Sequence, residues 1–171
     1  MPINTRPSIH EQVLCANCLI RKNGKFLVLR RSKRKKYAPG VVHLVGGKID
    51  LDENPYSAAI REVYEETGVK VENVRLEAVF LELKPVLGEP YNWLIFHFSA
   101  DYKEGNVKET EEGELLWLTG EEVKRQNLFP SVRPVIEHIL DKETGTVFAT
   151  FEYDDQKQNI IKQTLGFCVV E

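Results

Sequence analysis

The segment from Asn54 to Gly68 constrains this chain more than any other. Asn54 can cap free backbone N–H groups, and Pro55 at the first helical position sacrifices no hydrogen bond. Gly68 supplies the left-handed residue that ends a helix, so the spacing predicts a helix over 55–67. On it Glu62, Glu65 and Glu66 stand at i, i+3 and i+4, within an arc of roughly 100°. Ala59, Ile60, Val63 and Thr67 take the opposing side, which is suited to packing on a sheet. Carboxylates stacked this closely repel by a few tenths of a kcal/mol per pair, at roughly the level of other like-charge helix pairs. A hard divalent cation such as Mg²⁺ or Mn²⁺ removes that cost through oxygen ligation. Taken alone, the same stripe also reads as a solvated acidic face.

Charge is distributed in the same sense. The chain carries 26 acids and 23 bases, and residues 47–69 alone hold six acids against two bases. Residues 30–36 place six bases in seven positions, from Arg30 to Lys36. Adjacent acidic and basic segments suit a metal-bound phosphate ligand, which presents both signs of charge. With 171 residues and no repeat, low-complexity tract or linker, one domain over 1–171 is expected. No apolar run approaches bilayer length, the start from Met1 to Pro7 has no export-type stretch, and three cysteines are too few for a disulfide scaffold. A cytoplasmic globular domain with no membrane partner is the expectation.

Asn23-Gly24 between the apolar runs Val13–Ile20 and Lys25–Leu29 signals a hairpin. The basic run and Tyr37–Gly40 read as a long loop. Strands are expected over Val69–Leu83, Trp93–Phe98 and Leu115–Leu118, with Val79 to Leu83 buried on both faces of a mixed sheet. Thr119-Gly120-Glu121-Glu122 fits a capping box, and Ser131 can cap a further helix bearing Val132, Val135, Ile136, Ile139 and Leu140. A closing hairpin over 146–153 and 160–170 turns at Asp154-Asp155. The fold class is α/β or α+β.

Gly47-x5-Glu53-x7-Arg61-Glu62-Val63-x-Glu65-Glu66-x-Gly68-Val69 matches every fixed position of the Nudix box, and the chain is similar to Nudix hydrolases. The resemblance implies an α/β/α sandwich with a mixed central sheet and Mg²⁺- or Mn²⁺-dependent hydrolysis of a nucleoside diphosphate linked to another group. It implies Glu62, Glu65 and Glu66 as metal ligands with the Gly46 carbonyl, and Glu53 as the partner of Arg61. Glu62 is the first choice of general base. Gly47 lets backbone approach phosphate, while Lys48 and Arg30 are candidate phosphate contacts. Glu112, in Glu112-Gly113-x3-Trp117, resembles an extra carboxylate that some members add as ligand or base; a solvated loop is the alternative there.

The ending from Phe148 to Asp154 resembles the MutT-type and 8-oxo-dGTP diphosphatase branch. That implies a small-molecule (deoxy)nucleoside triphosphate, oxidised or not, cut to a monophosphate and pyrophosphate. The family's usual proline before Gly46-Gly47 is Val45 here, and Asn127–Ser131 lacks the acids with which some oxidised-purine enzymes read the base. Pro85 sits at an offset found in ADP-ribose-cleaving members, although a proline that ends a strand explains it too. ADP-ribose or a dinucleoside polyphosphate is therefore a rival substrate, and a non-catalytic nucleotide-sensing or nucleic-acid-binding module is a third reading that the full set of box carboxylates argues against. A homodimer is left open.

Cys15 and Cys18 have zinc-like spacing but fall three apart in a strand, on opposite faces, which favours core packing over zinc. His97 reads as a half-buried strand residue, and Trp93 and Trp117 as core fillers that could stack on a base.

Overall fold

The computed structural model describes residues 11–108, 110–141 and 145–168. The expectations for Met1–Pro7 and for the last two residues of the closing strand fall outside them. Asn23 and Gly24 both adopt positive φ, 51° and 74°, and reverse the chain between β1 (Gln12–Lys22) and β2 (Lys25–Arg31) as expected. Two short strands follow that no local signal announces, β3 (Val42–His43) and β4 (Val45–Lys48). Helix α1 spans Pro55–Thr67: the Asn54 side chain accepts from the Ser57 N–H, and Gly68, at φ 73°, donates its N–H to the Tyr64 carbonyl.

Strand β5 (Lys70–Leu83) falls within the expected run, whereas β6 (Asn92–Glu104) and β7 (Gly113–Thr119) are longer than the runs that mark them. The Thr119 capping box forms and opens α2 (Gly120–Lys124). Ser131 does not cap a helix. A 3₁₀ turn over Arg133–Val135 instead leads into α3 (Ile136–Asp141), and Ser131 is buried. Strands β8 (Thr146–Tyr153) and β9 (Ile160–Cys168) close the chain as an antiparallel hairpin.

The strands form one mixed sheet in the order β3-β2-β1-β6-β5-β8-β9, with β4 on β1 and β7 on β2. The β1–β6 and β5–β8 pairs are parallel and the others antiparallel. Strand β1 is shared: Ile20–Lys22 pair with β2 while Cys15–Cys18 pair with β4, so β4 carries the sequence that precedes α1 into the sheet. One face of the sheet packs on α1 through Ala58, Ala59 and Val63 against Ala16, Cys18 and Ile20. The other packs on α2 and α3 through Val123, Ile136 and Ile139 against Cys15, Leu19 and Phe80. The result is an α/β/α sandwich. Cys15 and Cys18 go to opposite cores, as their spacing requires.

Three expectations need correction. Ala58 rather than Ile60 is fully buried under α1. On β5 Ala78, Phe80 and Glu82 are fully buried, as is Glu77, whereas Val79, Leu81 and Leu83 are only partly buried. His97 is fully rather than half buried, its ring 4.3 Å from that of Phe80. Strand β5 ends at Leu83, ahead of Lys84 at φ 46° and Pro85, which accounts for that proline. Among the described residues no helix is long and apolar enough to cross a membrane.

Gly68→Ala tests the helix stop. A Cβ there forces alanine into the left-handed region and meets Lys108 and Asn106 at 3.0–3.1 Å. Unfolding in urea is expected to show a loss of about 1–2 kcal/mol.

Candidate active site

Arg61 organises the loop–helix segment. From the second turn of α1 its Nη2 donates to Glu53 at 2.8 Å and to the Lys48 carbonyl at 3.0 Å, and its Nε faces both Glu53 oxygens at 3.2 Å. Its Nη1 donates to Glu62 at 2.8 Å and to Glu65 at 3.1 Å. One planar guanidinium thus ties β4, the loop after it and the helix face together, which a point-charge ammonium could not do. The contacts hold the Glu53 carboxyl below its ordinary range and raise Arg61 further above its own. The expected Glu53–Arg61 pair is present.

Glu62 and Glu66 sit deeper. Burial pushes the Glu62 carboxyl up, against the opposing pull of Arg61. Glu66 is pushed up to about 7 by burial, moderated by the Gly46 N–H that donates to it at 3.1 Å, and raised further by the charges of Glu62 and Glu112. Gly47 faces Glu62 so closely that a Cβ would lie 2.6 Å from its carboxyl, so glycine there makes room for the carboxylate. Glu112 reaches the same region from the loop before β7, paired to Lys35 at 2.6 Å.

Gly46, Gly47, Lys48, Glu66 and Glu112 line one cavity of about 580 Å³. Arg30 does not. Its guanidinium is held by Glu114 and Gln126 along a neighbouring basic groove, and Arg31 and Lys35 are the residues of that run that line the cavity. Glu65 stays on the outer side of α1, its side chain 58% exposed. Among the described residues no three carboxylates converge as a finished ligand set, since Arg61 holds Glu62 and Glu65 while Lys35 holds Glu112. The donors nevertheless fit a hard divalent cation in kind. They are carboxylate oxygens, with Glu66 raised first by burial and further by the charges of Glu62 and Glu112, and rotation of flexible glutamate side chains away from Arg61 and Lys35 would free them.

The far end of the cavity gathers Trp93 and the Asn127–Ser131 segment, both singled out in the sequence, with residues that were not. Tyr37 lies 6.2 Å from the Trp93 ring and 5.7 Å from that of Phe129. His43, His97, Ser131 and Glu82 complete the lining. Burial lowers the two histidines, His43 to about 4 and His97 to about 3, so both are neutral at physiological pH. Glu82 carried no local signal. Only the cross-strand register that sets it opposite Trp93 places it here.

A family model described as NUDIX domain matches residues 11–139. A Nudix hydrolase of Bacillus subtilis (strain 168), YvcI, is 35% identical over 146 residues, covering 80% of this chain and 84% of that protein. The CTP pyrophosphohydrolase of Escherichia coli (strain K12) is 29% identical over 122 residues, covering 71% and 87%. Among solved structures, a MutT protein from Bacillus halodurans superposes with a TM-score of 0.77 at 24% identity, covering 90% of this chain and 97% of that one, a likeness of fold.

Gly47→Ala tests the close approach to Glu62. Displacement of the carboxyl is expected to weaken Mn²⁺ binding, followed by electron paramagnetic resonance, by about ten-fold or more with the far-ultraviolet circular dichroism unchanged.

Proposed function

This chain belongs to the Nudix family, and on that premise we propose that it hydrolyses a (deoxy)nucleoside triphosphate, oxidised or not, to a nucleoside monophosphate and pyrophosphate. Family membership makes it a pyrophosphohydrolase; the triphosphate substrate is our reading. The observation that carries it is the continuity of one cavity from Glu66, Glu112 and the Gly46-Gly47 backbone to an aromatic chamber. A polyphosphate chain suits the first end and a nucleobase suits the second.

Glu62, Glu65 and Glu66, the Gly46 carbonyl and Glu112 are the proposed holders of Mg²⁺ or Mn²⁺. When bound, such an ion neutralises phosphate charge and acidifies water. The remaining work falls to side chains. Glu53 fixes Arg61, and Arg61 balances Glu62 until a bound cation would draw that carboxylate away. Glu62, raised by burial, is the proposed acceptor of the proton from attacking water. Lys48, Arg31 and Lys35 line the path of the phosphates and supply positive charge there. Tyr37, Trp93 and Phe129 present apolar ring surface to the base and exclude water.

Glu62→Gln and Glu65→Gln are expected to lower kcat by about 10²-fold or more while the fold persists, because an amide neither accepts the proton nor ligates a hard cation as a carboxylate does. Near wild-type rates from both would remove the assignment. Product analysis by ion exchange is expected to give pyrophosphate and a monophosphate; AMP with ribose phosphate from ADP-ribose would point to the nucleotide-sugar reading instead.

A further inference from the structure

We propose that Glu82, at the floor of the aromatic chamber, determines base specificity by accepting two adjacent N–H donors from a guanine-type edge. This inference rests on the cavity being a nucleotide site, as read above. Glu82 is 1% exposed, and neither carboxyl oxygen has a hydrogen-bond partner although both are shielded from solvent. The Ser131 and Tyr153 hydroxyls pull its carboxyl back down against burial, but neither meets hydrogen-bonding geometry with it. No ion pair joins Glu82 to a cation among the described residues. A buried carboxyl left this way is costly unless a ligand completes its bonding.

Its position decides what that ligand presents. Glu82 is the cross-strand partner of Trp93, whose ring forms one wall of the chamber, and it lies in the same cavity as Tyr37 and Phe129. A base lying among those rings would turn its hydrogen-bonding edge to the floor. Burial raises the Glu82 carboxyl to about 7, and two N–H donors from a ligand would stabilise its ionised form. A carboxylate accepts and does not donate, so it favours an edge with two neighbouring N–H groups. Guanine offers N1–H beside its 2-amino group. Cytosine and adenine set one amino group beside a ring-nitrogen lone pair, and uracil sets one N–H between two carbonyls. 8-Oxoguanine keeps the guanine edge, so Glu82 accepts both forms and leaves their distinction to other contacts.

Inosine isolates the claim because it lacks only the 2-amino donor. Steady-state kinetics with Mg²⁺ are expected to give wild-type kcat/KM about ten-fold or more higher for GTP than for ITP, since a site built to hydrogen-bond a group rejects the analogue without it. In E82L, which removes the buried charge and is expected to raise Tm, KM for GTP rises by about ten-fold and the GTP/ITP ratio falls to within about two-fold of one. In E82Q the amide's paired donor and acceptor shift preference toward ATP and CTP. A merely structural Glu82 would change Tm and leave these ratios where they were. A wild-type GTP/ITP ratio near one, or a ratio unmoved in E82L, overturns the inference. Equilibrium binding of GMP against IMP reads the same contrast without turnover. If no triphosphate is hydrolysed yet GMP binds about ten-fold tighter than IMP only when Glu82 is present, the hydrolytic reading fails and this one stands; equal binding overturns this one.

Discussion

The guanidinium of Arg61 is where the local geometry of the box is decided. It draws the Glu53 carboxylate, the Lys48 carbonyl and the carboxylates of Glu62 and Glu65 onto one planar group. Those partners come from a strand, a loop and a helix, which the core under α1 and the Gly46 N–H on Glu66 also join. With Asn54 and Gly68 setting where α1 begins and ends, this cation sets how its acidic face turns relative to β4. Loss of Arg61 would leave Glu53 and Glu62 partly buried without their counter-charge, a costly state for a carboxylate.

Around that hub, charge is sorted by depth and by end of the cavity. Arg61 and Lys35 balance the carboxylates they touch, whereas Glu66, deeper and crowded by Glu62 and Glu112, is raised to about 7. A divalent cation and a polyphosphate together supply both charges this end lacks. At the aromatic end the electrostatics change character: the histidines are neutral through burial, and among the described residues no ion pair joins the buried Glu82 to a cation. One cavity therefore joins a region of dense charge to one lined by aromatic rings and a buried carboxyl.

What the sequence discloses divides along the same physical line. The 23–24 hairpin, α1, the Thr119 capping box and the closing hairpin are written in residues that act on their immediate neighbours, and each is found where its signal lies. The box motif likewise locates Glu53 against Arg61. Strands β3 and β4 have no such signal, since β4 forms only because β1 presents Cys15–Cys18 to it. Ser131 has the composition of a cap, but a 3₁₀ turn starts the next element and turns Ser131 into the cavity. The depth of His97, the gathering of Tyr37 with Phe129 and the placement of Glu82 depend on register between strands far apart in sequence. Arg30 and Arg31 show the limit within two residues: neighbours on β2 point to opposite sides, and only Arg31 lines the cavity.

The central claim is that the acidic face of α1 gathers a divalent cation against the β4 backbone. A crystal structure with Mn²⁺ and a non-hydrolysable triphosphate analogue, with the ion located by its anomalous signal, tests it most directly. The account predicts an ion bound by Glu62 and Glu66 at roughly 2.1–2.2 Å, as oxygen ligation of a small hard cation requires, with phosphate oxygens completing its shell and Arg61 still on Glu53. Carboxylates that remain on Arg61 and Lys35, with the analogue bound and no ion between them, would contradict it.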